Sequence, residues 1–131
     1  MIKATRNQLT VAGNQYQTDA KKVLCVCAAG VLRSPTLAFV LHRKLGFNTR
    51  AVGSDIEWAL IPISQALVFW ADEIVFVDMK SFENLDKETV DFIKDVGVEC
   101  TVLNIPDNYD FGDRTLERMC FEQYTNKHNI Q

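Results

Sequence analysis

The chain has 131 residues, 47% of them apolar and 24% charged, with a formal net charge of -3. That length supports one domain with a sizeable core and not two, and interspersed signs argue against a broad basic face for nucleic acid while allowing a local positive pocket. No apolar run reaches the length of a membrane span and the N-terminus lacks a charged-then-apolar leader, so a cytoplasmic protein with no membrane partner is expected.

Residues 1–20 are mostly polar. Leu9-Thr10-Val11 and Gln15-Tyr16-Gln17 flank Ala12-Gly13-Asn14, which fits a small hairpin or a mobile arm, so 1–20 reads as an extension and 21–131 as the domain. Val23 to Cys27 is an apolar run of the kind found in a strand covered on both faces, and Leu37, Ala38, Val40, Leu41 and Leu45 recur as on an amphipathic helix. The residues between them form a strand-to-helix turn. Such a turn points backbone N–H groups and the positive end of a helix dipole into one concavity, a preformed site for a tetrahedral oxyanion. Cys27 sits at its mouth, where those donors and Arg33 favour the thiolate and make it a nucleophile. Arg33 supplies a planar fork for two phosphate oxygens. Gly30 admits positive φ, Ser34 can donate to the Cys27 sulfur, and Pro35 suits the first helical position.

Gly46 marks the helix stop, with Arg43 and Lys44 in the last turn. Thr49 to Gly53 reads as a second strand. A short helix between Ile63 and Trp70, starting near Ser64, leads to a third strand, Glu73 to Val77. Ser81 is the expected N-cap of a helix or broken helix that turns Leu85, Val90, Phe92, Ile93 and Val96 inward and stops at Gly97. Val98 to Leu103 is the fourth strand. The turn Ile105-Pro106-Asp107-Asn108-Tyr109-Asp110-Phe111 precedes a last helix, about Asp113 to Asn126, with Leu116, Met119, Cys120 and Tyr124 facing the sheet. Alternating strands and helices at this spacing predict an α/β fold, a doubly wound four-stranded parallel sheet with helices on both faces. Ligands of such sheets bind beyond the carboxyl ends of the strands, where Cys27 and the stretch after Leu103 both fall.

The four cysteines are Cys25, Cys27, Cys100 and Cys120. Cys25 and Cys27 share a strand face, but bridging such neighbours is strained, and the spacing matches no zinc knuckle. With His42 and His128 the only histidines, reduced thiols are expected, with no metal and no cofactor.

The pattern Cys-x5-Arg-Ser-Pro after an apolar strand resembles the phosphate-binding loop of the low-molecular-weight protein tyrosine phosphatases, and the likeness runs over roughly residues 22–125. It implies Cys27 as nucleophile and Arg33 as transition-state clamp. It makes the backbone of Ala28, Ala29, Gly30, Val31, Leu32 and Arg33 the phosphate cradle, and Ser34 the thiolate stabiliser. Gly30 stands where the family usually has Asn, leaving one polar tether fewer, and Leu32 replaces a second loop cysteine found in many members. The stretch Gly53 to Trp58 resembles the segment bordering the family's active-site mouth, which makes Trp58 a candidate wall for an aromatic ring. Trp70 to Asp78 looks like the family's alanine-aspartate-strand segment, with Asp72 in a structural role. The Asp107 turn is closest to a divergent branch with Pro-Asp-x-Tyr: Asp107 is the implied general acid, Asp110 the runner-up, and Tyr109 a second wall.

The implied reaction is hydrolysis of a phosphate monoester through a phosphocysteine, on a phosphotyrosine protein or small aryl phosphate, with a mildly acidic optimum. Two rivals stand beside it. A thiol-coupled arsenate reductase shares the fold but needs further cysteines near the site. A silent phosphate- or phosphopeptide-binding module would not need an intact Cys27, Arg33 and acid.

Overall fold

The computed structural model describes residues 20–29, 33–55, 57, 59–107 and 113–129, so the expected hairpin or arm in the first twenty residues lies outside it but for Ala20. Strand β1 (Lys22–Cys27) is buried along its whole length, as its unbroken apolar run requires of a strand covered on both sides. It pairs in parallel with β2 (Asn48–Gly53) on one side and β3 (Glu73–Phe76) on the other, and β3 pairs with β4 (Glu99–Val102). The strand order is β2-β1-β3-β4. This is the doubly wound, four-stranded parallel sheet that the sequence predicts. β3 and β4 are shorter than expected, but sheet-like bonds continue past them: Val77 N–H donates to the Val26 carbonyl at 2.9 Å and Leu103 N–H to the Phe76 carbonyl at 2.8 Å.

Two apolar clusters lie on opposite faces of the sheet. Alternate β1 residues Val23, Cys25 and Cys27 join Leu37 and Leu41 of helix α1 (Arg33–Leu45) and Leu116, Cys120 and Tyr124 of helix α5 (Arg114–His128). Leu24 and Val26 face the other way, with Val68 and Trp70 of helix α2 (Gln65–Trp70) and Ile93 of helix α4 (Lys87–Val96). That split is the period-two alternation of a strand applied to a continuous apolar run. Among the described residues, no helix is long and apolar enough to cross a membrane.

Helix starts follow side-chain caps. Ser64 caps α2 by accepting from the Leu67 N–H. The expected cap at Ser81 is corrected: Asp78 caps the short helix α3 (Met79–Glu83), accepting from the Ser81 N–H at 2.8 Å, and Ser81 is the third helical residue, whose hydroxyl reaches back to Asp78. An ionised carboxylate is the stronger acceptor for an exposed helix end. The segment then breaks, and Asp86 caps α4 anew. Helix α1 begins at Arg33, so Pro35 is its third residue and not its first; its missing N–H still falls in the turn that has no intrahelical acceptor. Gly46 and Gly97 close α1 and α4 with φ of 73° and 77°, and α5 runs to His128, two residues beyond the expected end.

At the amino end of the sheet, Asp72 ties the chain entering β3 to β1, exchanging bonds with the Lys22 backbone. Next to it Glu73 is fully buried and fully engaged. One oxygen accepts from Tyr124 Oη at 2.7 Å and faces Lys21 Nζ at 2.9 Å; the other accepts from Thr101 Oγ1 at 2.5 Å and meets His128 Nε2 at 2.8 Å. Burial pushes the Glu73 carboxyl up, but the hydrogen bonds from Thr101, Lys21 and Tyr124 and the Lys21 charge outweigh it and hold it below the usual carboxylate range. A lowered acid contributes stability above its unfolded value, and that contribution is lost as the pH falls through the folded one. Glu73→Gln should therefore cost roughly 3 kcal/mol at neutral pH, the scale for breaking a buried ion pair. In thermal denaturation the gap to wild type should narrow as the pH drops below about 4; a gap that holds constant to pH 3 would refute this account.

Candidate active site

β1 ends at Cys27 and α1 opens at Arg33, so the turn between them projects from the carboxyl edge of the sheet. Cys27 is 3% exposed. Its sulfur lies 3.1 Å from the hydroxyl of Ser34, which is buried in the first turn of α1 and also reaches the Val52 carbonyl at 3.3 Å. The hydroxyl has one proton and two acceptors, so it can serve the sulfur when that is ionised and the carbonyl when it is not.

Arg33 is 7% exposed, and its guanidinium meets three groups from two separate parts of the chain. Nη1 donates to Asp78 Oδ2 at 2.6 Å and to the Ile105 carbonyl at 2.9 Å, while Nε stands 3.5 Å from Asp107 Oδ1. Burial raises the Asp78 carboxyl, but its hydrogen bond and charge contact with Arg33 and the bonds from Ser81 prevail and hold it below the usual range. Asp78 thus does two jobs, capping α3 and fixing the Arg33 fork. Asp107, on the segment after β4, has a side chain 68% exposed, so it stands at the rim while the sulfur lies at the floor.

The structure brings Cys27, Arg33, Ser34 and Asp107 to one edge, with Ala28 and Ala29 leading into the turn. Gly30, Val31, Leu32, Trp58, Tyr109 and Asp110 lie outside the described residues. Three contributors went unread in the sequence. Asp78 carries only the signal of a polar residue directly after a buried strand, which any cap would give. The Ile105 carbonyl has no side-chain signature. Gly53 was legible as a strand end but not as a contact: a Cβ there would fall 2.5 Å from Ala59 Cβ, 2.7 Å from the Ala29 carbonyl carbon and 2.8 Å from the Ala28 oxygen. The turn lies directly against this glycine, seamed by bonds from the Ser54 and Asp55 N–H groups to the Cys27 and Ala28 carbonyls, each 2.9 Å.

No family model matches the sequence, and no curated protein is similar to it. Solved structures do match. Vibrio vulnificus Wzb, solved in complex with benzylphosphonate, is 18% identical with a TM-score of 0.60, over 83% of this chain and 97% of that one. A low-molecular-weight phosphotyrosine phosphatase from Vibrio cholerae O395 is 13% identical with a TM-score of 0.54, over 84% and 97%. This chain has the low-molecular-weight phosphotyrosine phosphatase fold. The YwlE arginine phosphatase of Geobacillus stearothermophilus, 15% identical with a TM-score of 0.52 over 80% and 86%, is a further match.

Among the described residues, one group could close on a metal ion, Glu73, Glu99 and His128, at the opposite end of the phosphatase-like sheet. Lys21, 2.9 Å from Glu73, already fills the cationic place there.

Gly53→Ala should drive the turn off β2. The expected cost is about 1–3 kcal/mol, the scale of overpacking, read as a lower thermal midpoint, with Ala28 and Ala29 displaced in a crystal structure of the variant. Unchanged stability and an unmoved turn would show that the contact is not limiting.

Proposed function

We propose that this protein is a cysteine-dependent phosphatase that hydrolyses phosphate monoesters through a phosphocysteine, with phosphotyrosine as its substrate class. The observation that carries the reading is the pairing at one sheet edge of a buried sulfur under a hydroxyl, 3.1 Å away, with a buried guanidinium whose Nη1 is pinned by Asp78. An arginine fixed in this way presents its remaining edge at a constant angle, which suits an equatorial phosphate oxygen pair in a transition state.

In the first displacement the Cys27 thiolate attacks phosphorus, the S–P bond forms and the P–O bond to the alcohol breaks, with a proton from Asp107 going to the departing oxygen. In the second, Asp107 as carboxylate takes a proton from water, whose oxygen attacks phosphorus and releases the thiolate. The turn from Ala28 to Arg33 cradles the phosphate oxygens, Ser34 stabilises the sulfur anion, and Trp58 and Tyr109 flank the aryl ring. The depth of Cys27 supports the substrate class, because a phosphate reaches a floor 3% exposed only if it stands well clear of its own main chain. Phosphotyrosine does so and phosphoserine does not.

The arsenate reductase alternative is disfavoured by the other thiols. Burial pushes Cys25 up strongly; burial and nearby Glu117 push Cys120 up to about 12; burial with Glu73 and Glu99 raises Cys100. Thiols held protonated are poor resolving nucleophiles for a disulfide relay.

Hydrolysis of p-nitrophenyl phosphate by wild type should peak at mildly acidic pH, because the first step needs Asp107 protonated. Cys27→Ser should abolish turnover and still bind inorganic phosphate. Asp107→Asn should slow the reaction about 100-fold or more, the scale of general acid catalysis, and let a phosphorylated thiol be trapped. Wild-type turnover by Cys27→Ser would end the proposal, and a rate that climbs into the alkaline range would end the role of Asp107. Equal turnover of phosphoserine peptides, or preferred turnover of phosphoarginine, would replace the substrate class.

Asp78→Asn keeps a capping oxygen and removes the charge beside Arg33. kcat/KM should fall about 10- to 100-fold, the value of one charge-assisted hydrogen bond, with little loss of thermal stability. An unaltered kcat/KM would show that Arg33 needs no anchor.

A further inference from the structure

Beside the turn lies a cleft of about 300 Å³, lined by Ser54, Asp55, Glu57, Asn84 and Asp86. Its lining comes from the segment after β2 and from the connection between α3 and α4, both over the carboxyl edge of the sheet. The link to the catalytic floor is direct, since Ser54 and Asp55 donate their backbone N–H groups to the carbonyls of Cys27 and Ala28. Among the described lining residues, three of the five are carboxylates and none is a cation. The Asp86 carboxylate is fixed in place because it caps α4, accepting from the Thr89 N–H at 2.8 Å. The Asp55 carboxylate is oriented by the Glu57 N–H at 3.2 Å. An independent sign of an occupant is Ser54: it is 1% exposed, it lines the cleft, and its hydroxyl has no hydrogen-bond partner. Buried hydroxyls without partners are rare in folded proteins, and each calls for a partner or a reason.

We propose that this cleft is a subsite for a basic side chain, lysine or arginine, carried by the substrate polypeptide close to its phosphorylated residue. The cleft is at the small end of the size range for ligand pockets, which suits one long side chain. A metal ion fits less well. The carboxylates of Asp55, Glu57 and Asp86 do not gather within reach of one ion, whereas those of Glu73 and Glu99 with His128 do. Spread carboxylates with an amide and a hydroxyl between them match a guanidinium or ammonium on a flexible stem, whose donors point in several directions. The cleft touches the turn at the carbonyls of Cys27 itself and of Ala28 next to it, so a neighbouring side chain of an extended peptide, at about 3.5 Å per residue, reaches it while the phosphate occupies the floor.

The inference rests on the phosphatase reading, and two experiments separate their failures. In the first, amide NMR spectra of the full chain are followed during titration with N-acetylarginine amide at low salt, with magnesium chloride as the comparison. Saturable shifts confined to Ser54, Asp55, Glu57, Asn84 and Asp86, weakened in a Glu57→Gln/Asp86→Asn double variant, are expected; Asn at 86 retains the helix cap. No response to the arginine derivative, or the same shifts with magnesium alone, overturns the subsite. In the second, kcat/KM is compared for phosphotyrosine peptides that differ only in arginine, norleucine or glutamate within two residues of the phosphotyrosine. The arginine peptide should be favoured about fivefold over norleucine at low salt. The preference should shrink as the Debye length contracts and vanish in the double variant, whose turnover of p-nitrophenyl phosphate stays at the wild-type level. Equal kcat/KM for the three peptides, or a preference that survives in the double variant, overturns the proposal. A protein that fails on p-nitrophenyl phosphate but binds the arginine derivative overturns the phosphatase reading and upholds the cation cleft.

Discussion

A guanidinium removed from water without partners is costly enough to destabilise a small domain by several kcal/mol. Arg33 is buried at the head of α1, so the fold must supply its partners, and it does so from two distant places in the chain. Asp78 arrives from the end of β3, and the Ile105 carbonyl and Asp107 arrive from the segment after β4. One cation therefore sets where the connection after β3 turns into a helix and how closely the chain leaving β4 returns to β1. The carboxyl edge of this sheet is assembled around that requirement.

The two ends of the sheet answer the same electrostatic problem with opposite signs. At the carboxyl end a buried cation is surrounded by acceptors; at the amino end a buried anion, Glu73, is surrounded by Lys21, Tyr124, Thr101 and His128. Each ties strands to helix or loop segments far apart in sequence, and each is buried enough that the surrounding dielectric strengthens its hydrogen bonds. The first is placed where ligands of doubly wound sheets bind, whereas the second clamps α5 against β3 and β4. The two buried charges are thereby kept at opposite ends of the sheet.

What the sequence disclosed tracks how local each signal is. The apolar run of β1, the glycine stops of α1 and α4 and the inward residues of α5 depend on neighbours a few positions away, and all were legible. Cys27, Arg33 and Ser34 were legible for the same reason, since one turn carries them. Asp107 was placed through the Pro-Asp-x-Tyr resemblance together with its position after the fourth strand. The partners that complete the site were not legible, because Asp78 and Ile105 meet Arg33 across 45 and 72 residues of sequence and look, locally, like a cap and a core residue. Ser81 was misread as a cap because a serine and an aspartate three residues apart satisfy the same pattern from either end. Gly53 hid for a different reason: the demand on it is an absence of volume, set by Ala28, Ala29 and Ala59, and no periodicity reports that.

The Ser34 hydroxyl, shared between the Cys27 sulfur and the Val52 carbonyl, couples that sulfur to the main chain of β2. When the sulfur is ionised the hydroxyl proton is drawn toward it, and the carbonyl on the edge strand β2 is left with one donor fewer; when the sulfur is neutral, the proton swings back. Val52 adjoins Gly53, on which the turn rests. A change of charge at one sulfur is thus felt in the backbone beside it, with no side chain other than a serine required to carry the message.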